Sequence, residues 1–169
     1  MDEDFDPYNE GNDDLELSNR FEQMLEMNEH YFFDVEEFED LIDFYLEKNE
    51  MEKANKAIEF ALYQHPNSSA LKIKQAQYLI ENHQPNKGLD ILNALENMEP
   101  FNHELYLTKA NIFSQIRQHQ KAIENYYKAA KLIDDKTEKT NILFNIAFEY
   151  ENLSQYDKAL TILKDLLKE

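Results

Sequence analysis

The sequence predicts an all-α chain built from antiparallel helix pairs repeated along its length. Three observations predict this. One pattern recurs at a fixed step. Ala122, Tyr126 and Ala129 sit four and three residues apart, which on a helix is one face. At steps of 34 residues upstream the same positions hold Gly88, Leu92 and Leu95, then Ala54, Ile58 and Ala61. The ends of the segments keep that step too, at Pro66, Pro100 and Asp134. Downstream, Ala159, Leu163 and Leu166 repeat the pattern at a step of 37, so three extra residues lie between the third and fourth repeats. The composition agrees. Two Gly and four Pro are too few for a loop-rich β fold, and Glu, Lys, Leu, Ala and Gln are good helix formers.

Taken in order, residues 1–14 read as an acidic leader without fixed structure. Asp2, Glu3, Asp4 and Asp6 repel one another, Pro7 and Gly11 break helix, and little is there to bury. Residues 15–33 read as a short helix and a link. Leu17, Phe21, Met24 and Leu25 fall at helical spacing, with Ser18 as the expected N-cap. That helix would cover the open end of the first repeat, because repeat arrays need their terminal faces screened. Asp34 with Glu37 three residues on reads as a capping box. The repeats follow over about 35–68, 69–102, 103–136 and 140–169, with turns expected near Asn49, at 82–85 and at 118–120. Pro85 suits a first helical turn, Asn102 is a cap, and Asp135 with Glu138 reads as a second capping box. The three extra residues would lengthen the helix after Asp135 by about one turn.

The first helix of each pair also repeats: Phe38, Leu41, Ile42 and Tyr45 align with Tyr106, Ala110 and Phe113, and with Leu143, Ile146, Ala147 and Tyr150. On these residues the chain resembles the tetratricopeptide repeat family, helix–turn–helix units of about 34 residues. The likeness covers 35–169 and is weakest in the second repeat, where Lys72 and Gln75 replace apolar residues. None of the repeats carries the family's early Trp, since the chain has no Trp. The resemblance implies a right-handed superhelical α-solenoid that binds proteins through a concave groove lined by the first helices. Carried over by alignment, the groove residues are Glu36, Glu39, Asp43 and Glu47, then Ile73, Gln77 and Ile80. Further on they are Leu107, Asn111 and Gln115, then Asn141, Phe144, Phe148 and Asn152. Such a groove is acidic at one end and apolar with amides at the other. It suits an extended peptide or helix with basic residues and large apolar side chains. The competing reading is that Ile73, Leu107, Phe144 and Phe148 are core. The chaperone-tail carboxylate clamp known in the family needs cations or amides where this chain has Glu39, Asp43 and Glu104, so that partner class is excluded for the first three repeats.

Charge is unevenly placed. Residues 1–50 hold 19 Asp and Glu against Arg20 and Lys48, a net of −17 out of −18 for the whole chain. That field repels phosphate backbones and anionic lipid, which argues against nucleic-acid and membrane partners. It either attracts basic partners or only keeps the protein in solution. Absence of Cys removes disulfides and thiolate chemistry. With Gly only at positions 11 and 88, no phosphate-cradling loop can be assembled. His30, His65, His83, His103 and His119 never fall at i, i+4 and read as solvated turn residues rather than metal ligands. Nothing supplies a nucleophile with its activator, so no catalysis, metal or cofactor is expected. No apolar run reaches about 18 residues and no secretory signal opens the chain, which makes the cytoplasm the expected location. Leu166 and Leu167 stay apolar in the expected last helix, 155–168. Three readings stand for them: further repeats follow, a second copy covers the face through self-association, or the last turn frays.

Overall fold

The computed structural model describes residues 10–167, with side chains from residue 14. Residues 1–9 of the expected leader, and Lys168 and Glu169, lie outside the described residues. Among the described residues there are helices and turns and no strand. The helices are α1 Glu10–Met27, α2 Val35–Glu47, α3 Met51–Gln64, α4 Ser69–Glu81 and α5 Pro85–Glu96. They continue as α6 His103–Gln115, α7 His119–Leu132, α8 Lys136–Asn152 and α9 Tyr156–Leu166. No helix among them is long and apolar enough to cross a membrane. The chain divides between Tyr78 and Leu79 into two compact bodies.

In the N-terminal body α1 packs on α2, and α2 packs on α3. Its core is aromatic. The Phe21 ring meets Phe33 and Phe60 edge-on, each at 5.8 Å between centroids, and Phe33 meets Phe38 at 5.3 Å. Phe21, Phe33, Phe38 and Tyr45 are fully buried. The link between α1 and α2 is fastened from α3. The Gln64 amide donates to the Tyr31 carbonyl at 2.9 Å and accepts the Phe33 N–H at 3.1 Å. Helix α1 starts at Glu10, not at Leu15, so residues 10–14 of the expected leader are helical. The dipole of a helix favours carboxylates near its N-terminus, so an acidic stretch of sequence is as compatible with a helix start as with a leader. Ser18 is therefore inside the helix and not its cap: its hydroxyl donates back to the Leu15 carbonyl at 3.0 Å. Asp34 and Glu37 form the expected capping box, at 2.9 and 2.8 Å.

In the C-terminal body α5 packs on α6, α6 on α7, α7 on α8 and α8 on α9. The defining face of α7 is core as expected, with Ala122 and Ala129 at 0% and Tyr126 at 4% exposure. Pro85 opens α5, and the Asn102 and Asp135 side chains accept the N–H groups of Leu105 and Glu138. Helix α8 has 17 residues against 13 in α6, so the extra residues do lengthen it by about one turn.

The turn within each pair repeats down to its dihedrals. Asn49, His83, Arg117 and Ser154 all have φ of 57° or 58°, in the left-handed region. They lie 34, 34 and 37 residues apart. The N–H after each one closes back on a carbonyl five residues earlier: Glu50 on Tyr45, Gln84 on Leu79, Gln118 on Phe113 and Gln155 on Tyr150, at 2.7–2.8 Å. This left-handed helix ending satisfies carbonyls that would otherwise be orphaned, and it reverses the chain in few residues.

Candidate protein-binding face

In the C-terminal body α6 and α8, the first helices of successive pairs, lie side by side and run the same way. Two cross-links fix this. Near their starts His103 Nε2 is 3.6 Å from Glu138 Oε1. Near their ends the Ser114 hydroxyl donates to Glu149 Oε1 at 2.5 Å. Glu149 is 1% exposed, and its second oxygen lies 2.6 Å from Nδ1 of His119, the first residue of α7. A carboxylate can only accept, so Nδ1 carries the proton. The one carboxylate thus ties the end of α6, the start of α7 and the last turn of α8 together, and the cost of burying its charge is offset by two donors.

Asn111 on α6 is exposed, and its Oδ1 accepts the Tyr126 hydroxyl at 2.7 Å. That bond holds the amide in one orientation, with Nδ2 free of any protein acceptor among the described residues. Burial first, and then the charge of Glu149, pushes the Tyr126 phenol up to about 12. It therefore stays a donor to Asn111 across the physiological range.

The expected surface residues of this body divide as follows. Leu107 is half-buried, while Gln115, Asn141 and Asn152, like Asn111, are exposed. Phe144 and Phe148, on the same face of α8, are 50% and 58% exposed. The opposite face of α8 is core, through Ile142 and Ile146. Ile80 is a correction, since at 7% exposure it is core and unavailable to a partner. Apolar rings left in water are unfavourable by about 25 cal/mol per Å2, so two of them on one helix face mark a surface that gains from being covered.

The N-terminal body carries the acidic set. Glu36 and Glu47 are exposed, and Glu39 and Gln77 are half-buried. Two expectations need correcting. Ile73 is fully buried, which is the core reading rather than the surface one. Asp43 is not a free carboxylate, because Lys74 Nζ sits 2.5 Å from its Oδ2 with the lysine side chain only 12% exposed. Crowding shows at Asp40, whose carboxyl is raised by desolvation first and then by Asp14 and Asp43.

Sequence reasoning missed the buried polar ties. His119 was expected in solvent, but its side chain is 19% exposed and joined to Glu149. His65 likewise has Nε2 2.8 Å from the Phe33 carbonyl. Asp135 caps α8 without the reciprocal half of a capping box, since Glu138 faces His103 instead. Lys109, 5% exposed, donates to Glu96 and to Asn93 Oδ1, and Lys128 donates to Glu96 from α7 at 2.9 Å. Burial works to raise the Glu96 carboxyl, but the bonds from Lys109 and Lys128 outweigh it and hold it below the usual range. A signal for these residues was present. Glu149 follows Ile142 and Ile146 at core spacing, and Lys109 sits between Leu105 and Ile112 in the same way.

Among known proteins, no family model and no curated sequence matches this chain. Solved structures do share its fold. A structure of MamA matches 99% of this chain and 95% of its own length, with a TM-score of 0.69 at 16% identity. AMB-1 MamA matches 93% of this chain and 95% of its own length, at 0.65 and 16%. The 41-end segment of MamA from Desulfovibrio magneticus RS-1 covers 80% of this chain and 75% of its own, at 0.63 and 17%. At such identities the likeness is one of fold, the all-α solenoid of antiparallel helix pairs that the sequence predicts.

Proposed function

We propose that this chain is a non-catalytic protein-interaction module, and that the α6–α8 face of its C-terminal body takes a peptide or helical segment from a partner. The observation that carries the reading is the pair of exposed rings, Phe144 and Phe148, on a helix whose other face is core. Leu107 adds apolar surface. Asn111, with its amide orientation held by Tyr126, offers Nδ2 to a partner's backbone carbonyl, and Gln115, Asn141 and Asn152 supply further amides. Large apolar side chains on the partner would cover the rings, and backbone contacts would hold the segment in place. The acidic surface of the N-terminal body, Glu36 and Glu47 foremost, favours a partner rich in basic residues and hastens its encounter.

Selection from a displayed peptide library on the whole protein tests this. Recovered peptides are expected to carry large apolar residues and net positive charge. Their affinity for an F144S/F148S variant should fall at least about tenfold, or about 1.4 kcal/mol, with the thermal midpoint unchanged because both rings are exposed. Reversal of Glu36 and Glu47 to Lys should slow association, more at low salt than at high. Peptides that bind the F144S/F148S variant as tightly as the parent would remove the α8 face from the site. Self-association concerns a different surface, on α9.

A further inference from the structure

Helices α7 and α9 occupy equivalent places in their pairs, yet their faces are covered differently. At the 37-residue step, Ile123, Tyr126 and Ala130 of α7 correspond to Leu160, Leu163 and Leu167 of α9. The α7 residues are buried, at 2%, 4% and 5% exposure. In α9, Leu163 is half-buried, but Leu160 is 49% and Leu167 88% exposed. The packing accounts for this: α7 has α6 on one side and α8 on the other, whereas among the described residues α9 packs on α8 alone in this way. Leu160 and Leu167 therefore mark a helix-sized contact face that the fold fills at α7 and leaves open at α9. Tyr156, 64% exposed, extends the stripe by a turn.

We propose that this face is covered by the same face of a second copy, the two α9 helices crossing antiparallel about a two-fold axis. Charge selects this occupant. Asp157 and Lys164 both flank the stripe on the side away from Ala159, one near each end of the helix, and neither side chain has a partner among the described residues. In an antiparallel pair like flanks meet, so Asp157 of each copy comes beside Lys164 of the other. The same register sets Tyr156 against Leu167 and Leu160 against Leu163, which closes the stripe on itself as an isologous contact requires. A parallel pair would bring unlike flanks together, setting Asp157 and Lys164 of each copy against the Ala159 side of the other and leaving both without that charge pairing. Three turns of helix bury less than the roughly 1,200–2,000 Å2 of a standard interface, so the association is weak and depends on concentration.

Sedimentation velocity of the full chain over a wide concentration range tests the pairing. The parent protein is expected to pass from monomer to dimer as concentration rises. Lys164→Asp should weaken the dimer at least about tenfold by opposing two pairs of carboxylates, and the double swap D157K/K164D should restore it. Both substituted positions are exposed, so circular dichroism and the thermal midpoint should not move. A protein that stays monomeric throughout, a dimer indifferent to Lys164→Asp, or a double swap that fails to recover would each overturn the proposal. The first of these, with Leu160 protected from solvent in a longer polypeptide, would assign the face to a further helix of the same chain.

Discussion

Glu149 shows how much one side chain can hold. Its two oxygens join three helices, through Ser114 and His119, at 1% exposure. Replacement by Ala leaves both half-buried donors without this acceptor, which costs about 1–3 kcal/mol for such groups. Urea denaturation of E149A should therefore show a loss near ~2 kcal/mol, while E149Q, which keeps one acceptor, should lose less. A loss under ~0.5 kcal/mol would mean that the two donors find other partners. Tyr126 makes a prediction in pH. Its phenol is pushed from 10.0 up to about 12, by burial first and then by Glu149. A group with a raised folded value contributes stability in full below its unfolded value and loses it as pH climbs through the folded one. The stability advantage of the parent over Y126F should thus be constant below pH 10 and shrink between 10 and about 12, as read from denaturation at successive pH values. These polar ties were only half legible in the sequence. A Glu or Lys at core spacing marks a position that must find a partner, but which partner depends on how helices cross, and no spacing rule supplies that.

At the scale of the element, the within-pair turn is the repeated device. Four non-glycine residues take the left-handed conformation at equivalent places. For a residue with a Cβ that conformation costs about 1 kcal/mol, and Asn bears it better than Arg or Ser. Arg117 is exposed, and Arg117→Gly should raise stability by about 0.5–1 kcal/mol through relief of that strain. A decrease in the thermal midpoint would show that the arginine side chain contributes more than its backbone costs. The elements were legible because their period is long and regular: Ala122, Tyr126 and Ala129 and their copies locate every second helix from α3 to α9. Two details were not. Residues 10–14 read as part of the leader, with Gly11 as a helix breaker, although acidic residues are favourable in sequence that begins a helix. Ser18 reads as a cap only for a helix that starts near Leu15, and inside the longer helix its hydroxyl bonds back to the Leu15 carbonyl.

At the scale of the whole molecule, the division of character is plain in the sequence. Nearly all the net charge precedes residue 51, and the two exposed phenylalanines of α8 lie far along the chain from it. Alignment to a repeat family named both sets of residues, yet it could not separate surface from core. Ile73 and Ile80 are buried, whereas Phe144 and Phe148 are exposed, although all four hold apolar groove positions in their helices. What decides is packing between helices, which a single pattern of residue types does not encode. The central claim is that the α6–α8 face is a receptor for an apolar, basic segment. It is tested most directly by amide NMR of the protein titrated with a library-selected peptide. The account predicts shift changes concentrated at Leu107, Asn111, Asn141, Phe144 and Phe148. Changes confined to other helices, with those five residues unmoved at saturation, would contradict it.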